Sequence, residues 1–210
     1  MHSLIDYVAF VPNILSHDAC DTVIDWYNKN IDQEYRSATG GDGEKGKVSD
    51  YRTSTTLAVP LDSEIDNILA SSINKTLLAY IETLNTQYKL KDNDCWAHHL
   101  PEKLESEEFQ INRYDENQEY KWHTDQGYDY RKKTGMFTRQ FSIVVYLNDD
   151  FDGGETEFQF TSVKPQKGAC LIFPSNFMYS HCARPVKNGV KYSCASWLAP
   201  LIEEETKKDA

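Results

Sequence analysis

His123 and Asp125 stand two apart in the stretch Tyr120-Lys-Trp-His-Thr-Asp125, and His181 lies well downstream. On an extended strand, residues two apart leave from the same face. A third ligand delivered from a distant strand would complete two imidazoles and one carboxylate on one side of a metal ion. That is the facial arrangement that suits non-haem Fe(II), and it leaves the opposite coordination positions open. An HxD pair alone is weak evidence, because short polar patterns recur by chance. The competing reading is a surface pair of His123 and Asp125 with His181 an unrelated loop residue.

Lys191 also bears on the chemistry. It follows His181 by ten residues, at the start of the last strand-like run. A hairpin around Lys187-Asn-Gly189 predicts that it sits deeper in the same barrel. Fe(II) held by one aspartate carries a single net positive charge, and a chelating 2-oxoglutarate dianion adds two negative ones. One buried cation brings the sum to neutrality, which a low-dielectric pocket requires. Lys191 can supply it by pairing with the far carboxylate of that cosubstrate.

The elements that must position these residues are short and apolar. Phe109–Tyr114, Gln140–Leu147, Glu155–Phe160, Gly168–Phe173 and Val190–Leu198 read as strands, broken by Gly, Pro and Asn. Such a set indicates a sandwich or barrel. Upstream, Tyr7–Val11 predicts a short strand, and Ser16 caps a helix whose buried side carries Ala19, Val23, Ile24 and Trp26-Tyr27. Tyr51–Val59 is β-branched and strand-like. Asp62 or Ser63 then caps the longest helix, with Ile65, Ile68, Leu69, Ile73, Leu77, Tyr80, Ile81 and Leu84 forming one apolar stripe. Ala38–Lys47 holds four glycines in ten residues and reads as a surface loop, either an inert connection or a flap over a groove. The adjacent pair His98-His99 would point to opposite faces of a strand, which favours a surface or structural role over a metal site.

The 210 residues predict a single domain overall: supporting helices, strands and flap over 1–107, a β core over 108–200, and a charged tail over 201–210. A hydrophobic fraction of 40% and 12% aromatic residues are enough for a core. The net charge of −11 argues against a nucleic-acid or anionic-membrane binder, since phosphate affinity rests on clustered Lys and Arg. The five cysteines (Cys20, Cys95, Cys170, Cys182, Cys194) are odd in number and lack any CxxC. Met1–Phe10 lacks the basic start and apolar run of a signal peptide, and no run approaches the ~20 apolar residues of a membrane span. A reducing, cytoplasmic setting with free thiols is the expectation. Oligomeric state is not readable.

Tyr114, His123-Thr-Asp125, Gly153-Gly-Glu155, Lys167-Gly-Ala169, Phe173-Pro-Ser175, His181, Lys191 and Trp197 together resemble, in order and spacing, the 2-oxoglutarate- and Fe(II)-dependent dioxygenases of the prolyl 4-hydroxylase type. The resemblance is dense from Phe109 to Leu198 and looser upstream, where Tyr51-Arg-Thr-Ser54 and the preceding loop are similar to a strand and flap of those enzymes. It implies a double-stranded β-helix, or jelly roll, with flanking helices. It implies Fe(II) on His123, Asp125 and His181, with 2-oxoglutarate and O2 as cosubstrates and an ascorbate requirement left open. Lys191 would pair with the C5 carboxylate of 2-oxoglutarate, Tyr114 would hydrogen-bond the cosubstrate, and Trp197 would pack beside the iron. Arg139 sits where related hydroxylases place a substrate-facing arginine, although the segment before it varies in length. The implied activity is hydroxylation of a prolyl residue in a peptide or protein, with 2-oxoglutarate converted to succinate and CO2. A small-molecule or free amino-acid hydroxylase is the alternative enzyme, and a non-catalytic jelly-roll binding module the alternative from another class.

Overall fold

Ser16 accepts a hydrogen bond from the Ala19 amide at 3.1 Å and starts α1 (His17–Lys29) as its sequence predicts. Asp18 in the first turn and Lys29 in the last complement the helix dipole. Before it, a 3-10 turn (Leu4–Tyr7) shortens the expected first strand to β1 (Ala9–Val11). β2 (Tyr35–Arg36) and β3 (Thr55–Ala58) precede α2 (Glu64–Gln87), where the Ser63 hydroxyl accepts from the Asp66 amide at 3.2 Å. The computed structural model describes residues 3–36, 50–87, 104–126 and 139–200. The 37–47 loop, Cys95, the His98-His99 pair, the 127–138 segment and the tail from Glu203 lie outside the described residues.

The remaining strands are β4 (Leu104–Ser106), β5 (Gln110–Tyr114), β6 (Tyr120–His123), β7 (Phe141–Tyr146), β8 (Asp152–Gly153), β9 (Thr156–Phe158), β10 (Ser162–Val163), β11 (Cys170–Pro174), β12 (His181–Ala183), β13 (Val186–Asn188) and β14 (Lys191–Pro200). They form a large sheet ordered β1-β11-β7-β14-β5-β3-β2, with β4 also on β14, and a smaller sheet ordered β10-β9-β12-β6. All pairings are antiparallel. The architecture is mainly β with flanking helices, a double-stranded β-helix. Strands from the N-terminal half lie within the large sheet: β1 pairs with β11, and β3 with β5. Among the described residues no helix is long and apolar enough to cross a membrane.

The helices cover one face of the large sheet. Val23 and Tyr27 of α1 and Leu69, Ile73 and Leu84 of α2 are buried in one cluster with Ile111, Val145, Ile172 and Cys194 of the strands. Leu69 is fully buried there, so truncating it to alanine would cost about 2–5 kcal/mol. The two-residue period of a strand then dictates the opposite face. Along β14, Cys194 and Leu198 join the helix-side core, while Lys191, Ser193, Ala195 and Trp197 line a cavity. β5 follows the same rule, with Ile111 in the core and Gln110, Asn112 and Tyr114 in the cavity.

One expected connection differs. β12 and β14 are not joined as a hairpin: β13 intervenes and pairs with β8, β12 lies between β9 and β6, and β14 lies between β7 and β5. His181 and Lys191 thus belong to different sheets and reach the same cavity from opposite walls. The short distance between them in sequence suggested a local turn, whereas the chain crosses from one sheet to the other.

Candidate metal centre

β6 and β12 are neighbours in the small sheet, and their register places His123 directly opposite His181. His123 Nδ1 lies 2.8 Å from the carbonyl of Lys121, and His181 Nδ1 lies 3.0 Å from that of Tyr179. A carbonyl can only accept, so each Nδ1 carries a proton, and in the neutral ring each Nε2 keeps its lone pair. Asp125 lies just past the end of β6, where Thr124 Oγ1 and the Gln126 amide both donate to the Ser175 carbonyl, each at 2.9 Å. Its carboxylate oxygens stand 3.5 Å from His123 Nε2 and 3.7 Å from His181 Nε2. One ligand atom from each of the three residues falls within 4.8 Å of the others. Two unprotonated imidazole nitrogens and a carboxylate on one side of a cavity can hold a divalent transition metal with positions left open.

The electrostatics suit that donor set. Burial is the largest influence on His181 and, with His123 nearby, lowers its pKa to about 4, so the imidazole is neutral, the form that binds metal. Burial opposes ionisation of Asp125, but the adjacent His181 and His123 outweigh it and hold the carboxyl well below the usual carboxylate range. Asp125 is therefore charged.

Tyr120 enters the site through an irregularity. From His181 to Ala183 the partner strand β6 runs from His123 back to Tyr120, one residue more than regular pairing allows. That extra residue turns Tyr120 to the same side as His123, although an unbroken strand would separate them. The two rings stack at 3.5 Å and 11°. Sequence alternation gave no sign of Tyr120, because the bulge reverses the parity on which alternation depends.

Across the cavity, of about 540 Å³, stands Lys191, only 2% exposed. Its ammonium donates to the Gly154 carbonyl at 2.6 Å and, among the described residues, forms no ion pair. Burial lowers its pKa to about 8, with Glu155 acting in the opposite sense. Tyr114 is its direct partner on β5, with the ammonium 5.2 Å from the ring centroid. Thr156, hydrogen-bonded to the Tyr146 hydroxyl at 2.8 Å, lines the same end and was not singled out by the sequence. A dicarboxylate fits here, because a buried ammonium bonded only to a neutral carbonyl lacks a counter-charge.

Trp197 also lines the cavity, with the Arg139 guanidinium stacked 3.7 Å from its ring centroid. Arg139 is clamped by two 2.6 Å bonds to Glu107 and reaches the Asp125 carbonyl at 3.4 Å. It does line the cavity, but as half of an ion pair, and Glu107 is a member of the site that no sequence motif marked. Arg52 and its partner Asn112 also line the cavity. Cys182 alternates with His181 along β12 and is buried.

Residues 109–199 match the 2OG-Fe(II) oxygenase superfamily. The PKHD-type hydroxylase YbiX of Shigella boydii serotype 18 is 27% identical over 144 residues, covering 61% of this chain and 62% of the relative. YbiX of Escherichia coli O9:H4 aligns over the same shares. The aligned stretch thus spans less than two thirds of those relatives. The viral collagen prolyl hydroxylase of Paramecium bursaria Chlorella virus-1, solved with 2OG, superposes with a TM-score of 0.64 at 24% identity, covering 93% of this chain and 97% of that one. A Pseudomonas putida prolyl-4-hydroxylase gives 0.64 at 18% identity over 94% and 97% of the two chains. A Trichoplax adhaerens prolyl hydroxylase, solved with a peptide fragment of the hypoxia inducible factor oxygen degradation domain, gives 0.68 at 13% over 92% and 83%. At these identities the structural likeness establishes the fold. Over the matched segment 109–199, which carries His123, Asp125, His181 and Lys191, the chain is similar to the 2OG-Fe(II) oxygenase superfamily. The donor set of His123, Asp125 and His181 fits Fe(II), and the buried Lys191 across the cavity fits 2-oxoglutarate.

Proposed function

We propose that this chain is an Fe(II)- and 2-oxoglutarate-dependent dioxygenase that hydroxylates a prolyl residue of a peptide or protein. The observation that carries the reading is the convergence of His123, Asp125 and His181 within 4.8 Å, facing a buried Lys191 across one cavity. The three residues would hold Fe(II), with both imidazoles oriented by their carbonyl partners. When bound, the iron together with 2-oxoglutarate and O2 supplies the oxidation: cosubstrate becomes succinate and CO2, and a substrate C–H becomes C–OH.

The chain's own part is binding, orientation and exclusion of water. Lys191 would pair with the far carboxylate of 2-oxoglutarate, exchanging the Gly154 carbonyl for a charged partner. The Tyr114 hydroxyl, which has no hydrogen-bond partner among the described residues, would donate to the same carboxylate. Val144, Ala195 and Trp197 wall the cavity with apolar surface, which strengthens these contacts by keeping water out. The prolyl reading is supported by the named activities of the P. putida and Chlorella virus proteins and by the peptide in the Trichoplax complex.

An anaerobic titration with Fe(II) and 2-oxoglutarate, followed by the visible charge-transfer band of the chelate, tests the cofactor site. A saturable band is expected, and its absence from folded protein would defeat the reading. Mass spectrometry on a panel of prolyl peptides and free proline then tests the substrate. A mass gain of one oxygen on the peptides is expected, whereas oxidation of free proline alone would point to a small-molecule hydroxylase.

A further inference from the structure

Among the described residues three cationic side chains line the cavity: Arg52, Arg139 and Lys191. Arg139 is neutralised by Glu107 through two 2.6 Å bonds. Lys191 is matched by the cosubstrate in the reading above. Iron, Asp125, 2-oxoglutarate and Lys191 together sum to no net charge, so none of them supplies a counter-charge for Arg52.

Arg52 is only 8% exposed, yet among the described residues its guanidinium touches neutral groups alone. Nη2 donates to Asn112 Oδ1 at 2.7 Å, and Nε to Ser54 Oγ at 3.4 Å. Thr56 Oγ1 donates to the same Asn112 oxygen at 2.8 Å, which fixes the amide and hence the guanidinium. A guanidinium has five N–H donors in a rigid fork, and two are engaged here. A buried charge without a counter-ion is costly. The chain as a whole carries −11, so a cleft lined by an uncompensated cation contrasts with its surroundings and attracts anions.

We propose that Arg52 binds a carboxylate of the substrate, which makes the substrate an anionic prolyl peptide. This assignment rests on the dioxygenase reading. The carboxylate comes from an acidic side chain or from a C-terminus, and either matches the guanidinium fork bidentately. Its position follows from Tyr120, whose ring stacks on His123 at 3.5 Å and lies 4.9 Å from Arg52 Cζ. One aromatic ring therefore bridges the guanidinium and a metal-ligating imidazole. An extended residue spans about 3.4 Å, so the carboxylate lies within one or two residues of the hydroxylated one.

The test uses the full chain and proline-centred peptides carrying Glu or Gln at each of the two positions on either side, each with a free or an amidated C-terminus. Binding is read by displacement of a fluorescent peptide with Zn(II) and 2-oxoglutarate present, so that no turnover is needed, and again on metal-free protein. The Glu/Gln arm reports a side-chain carboxylate and the acid/amide arm a terminal one. At least one acidic peptide is expected to bind about tenfold or more tightly than its neutral isostere. Arg52→Gln is expected to erase that preference and Arg52→Lys to keep part of it, because the charge remains while the fork is lost. Both variants are expected to retain the Fe(II)–2-oxoglutarate band. Equal binding of acidic and neutral peptides by the unaltered chain, or an unchanged preference in Arg52→Gln, would overturn the proposal. If Arg52→Gln does not fold, Arg52→Lys decides, and a preference equal to that of the unaltered chain overturns it. Absence of the band from the unaltered chain defeats the dioxygenase reading separately, and the metal-free binding preference then decides Arg52 by itself.

Discussion

His123 and His181 face each other across the β6–β12 pair, and each places Nδ1 against the carbonyl two residues behind it, at 2.8 and 3.0 Å. The backbone thus sets the tautomer of both rings and aims both Nε2 atoms at Asp125. A site oriented by main-chain groups needs no reorganisation of its imidazoles to accept a metal.

Removing one of the proposed ligands is different. His123→Ala, Asp125→Ala or His181→Ala should each abolish the saturable chelate band and lower turnover by about 100-fold or more. Circular dichroism should show the fold retained. A variant that keeps the band would remove its residue from the ligand set.

Tyr120 touches His123 through its ring face. Tyr120→Phe should therefore leave iron affinity unchanged, whereas Tyr120→Ala should weaken it by roughly tenfold through loss of ring support. Iron titration of the two variants checks this. Equal weakening in both would mean that the hydroxyl, not the ring, is what matters.

Among the described residues Lys191 is a buried cation bonded only to a carbonyl, so on the proposed function it costs stability until a cosubstrate is bound. Lys191→Met should raise the melting temperature of the cosubstrate-free protein by several degrees. It should also raise the 2-oxoglutarate requirement by about 10- to 100-fold, the worth of a charge-assisted hydrogen bond. Thermal melts and a cosubstrate titration read the two effects, and an unchanged 2-oxoglutarate requirement would refute the role.

The same lysine sets a pH dependence. Burial brings its pKa down to about 8, so below that pH the ammonium is present for the carboxylate that the proposed function pairs with it. As pH rises through about 8 the free protein loses the proton, and binding of 2-oxoglutarate must take one up. Affinity should be flat at lower pH and fall by up to about tenfold per unit above 8. Stability has the opposite sign. Between about 8 and the ordinary lysine value the unfolded chain binds more protons than the folded one, so this residue's contribution to stability rises with pH. Titrations and melts across that window check both.

Gly154 adopts φ +67°, and a Cβ there would meet Phe151 Cε2 at 2.8 Å and Lys191 Cδ at 3.2 Å. Gly154→Ala should cost on the order of 1–3 kcal/mol of stability and raise the 2-oxoglutarate requirement through the displaced Lys191. Denaturant unfolding and a cosubstrate titration separate the two. An unchanged cosubstrate dependence would show that Lys191 accommodates the methyl group.

Much of this was legible locally. Helix caps at Ser16 and Ser63, the apolar stripe of α2 and the alternation of β5 are decided by neighbours two to four residues away, and the structure shows each of them. The HxD pair and His181 were readable for the same reason, since their residue types limit what chemistry they can do. What depended on long-range pairing was not. The route from β12 to β14 runs through β13 rather than a hairpin. The bulge that admits Tyr120 exists only because β6 and β12 are paired in a particular register. Glu107 meets Arg139, and Arg52 meets Asn112, across gaps of 32 and 60 residues.

By itself the sequence marked which residues have the chemistry to bind metal and dicarboxylate and determined which segments would be strands, because those properties belong to side-chain chemistry and short-range periodicity. Only the tertiary structure decided which wall of the cavity each one occupies and which of its cations has a partner, because those depend on sheet pairing and burial between segments far apart in the chain.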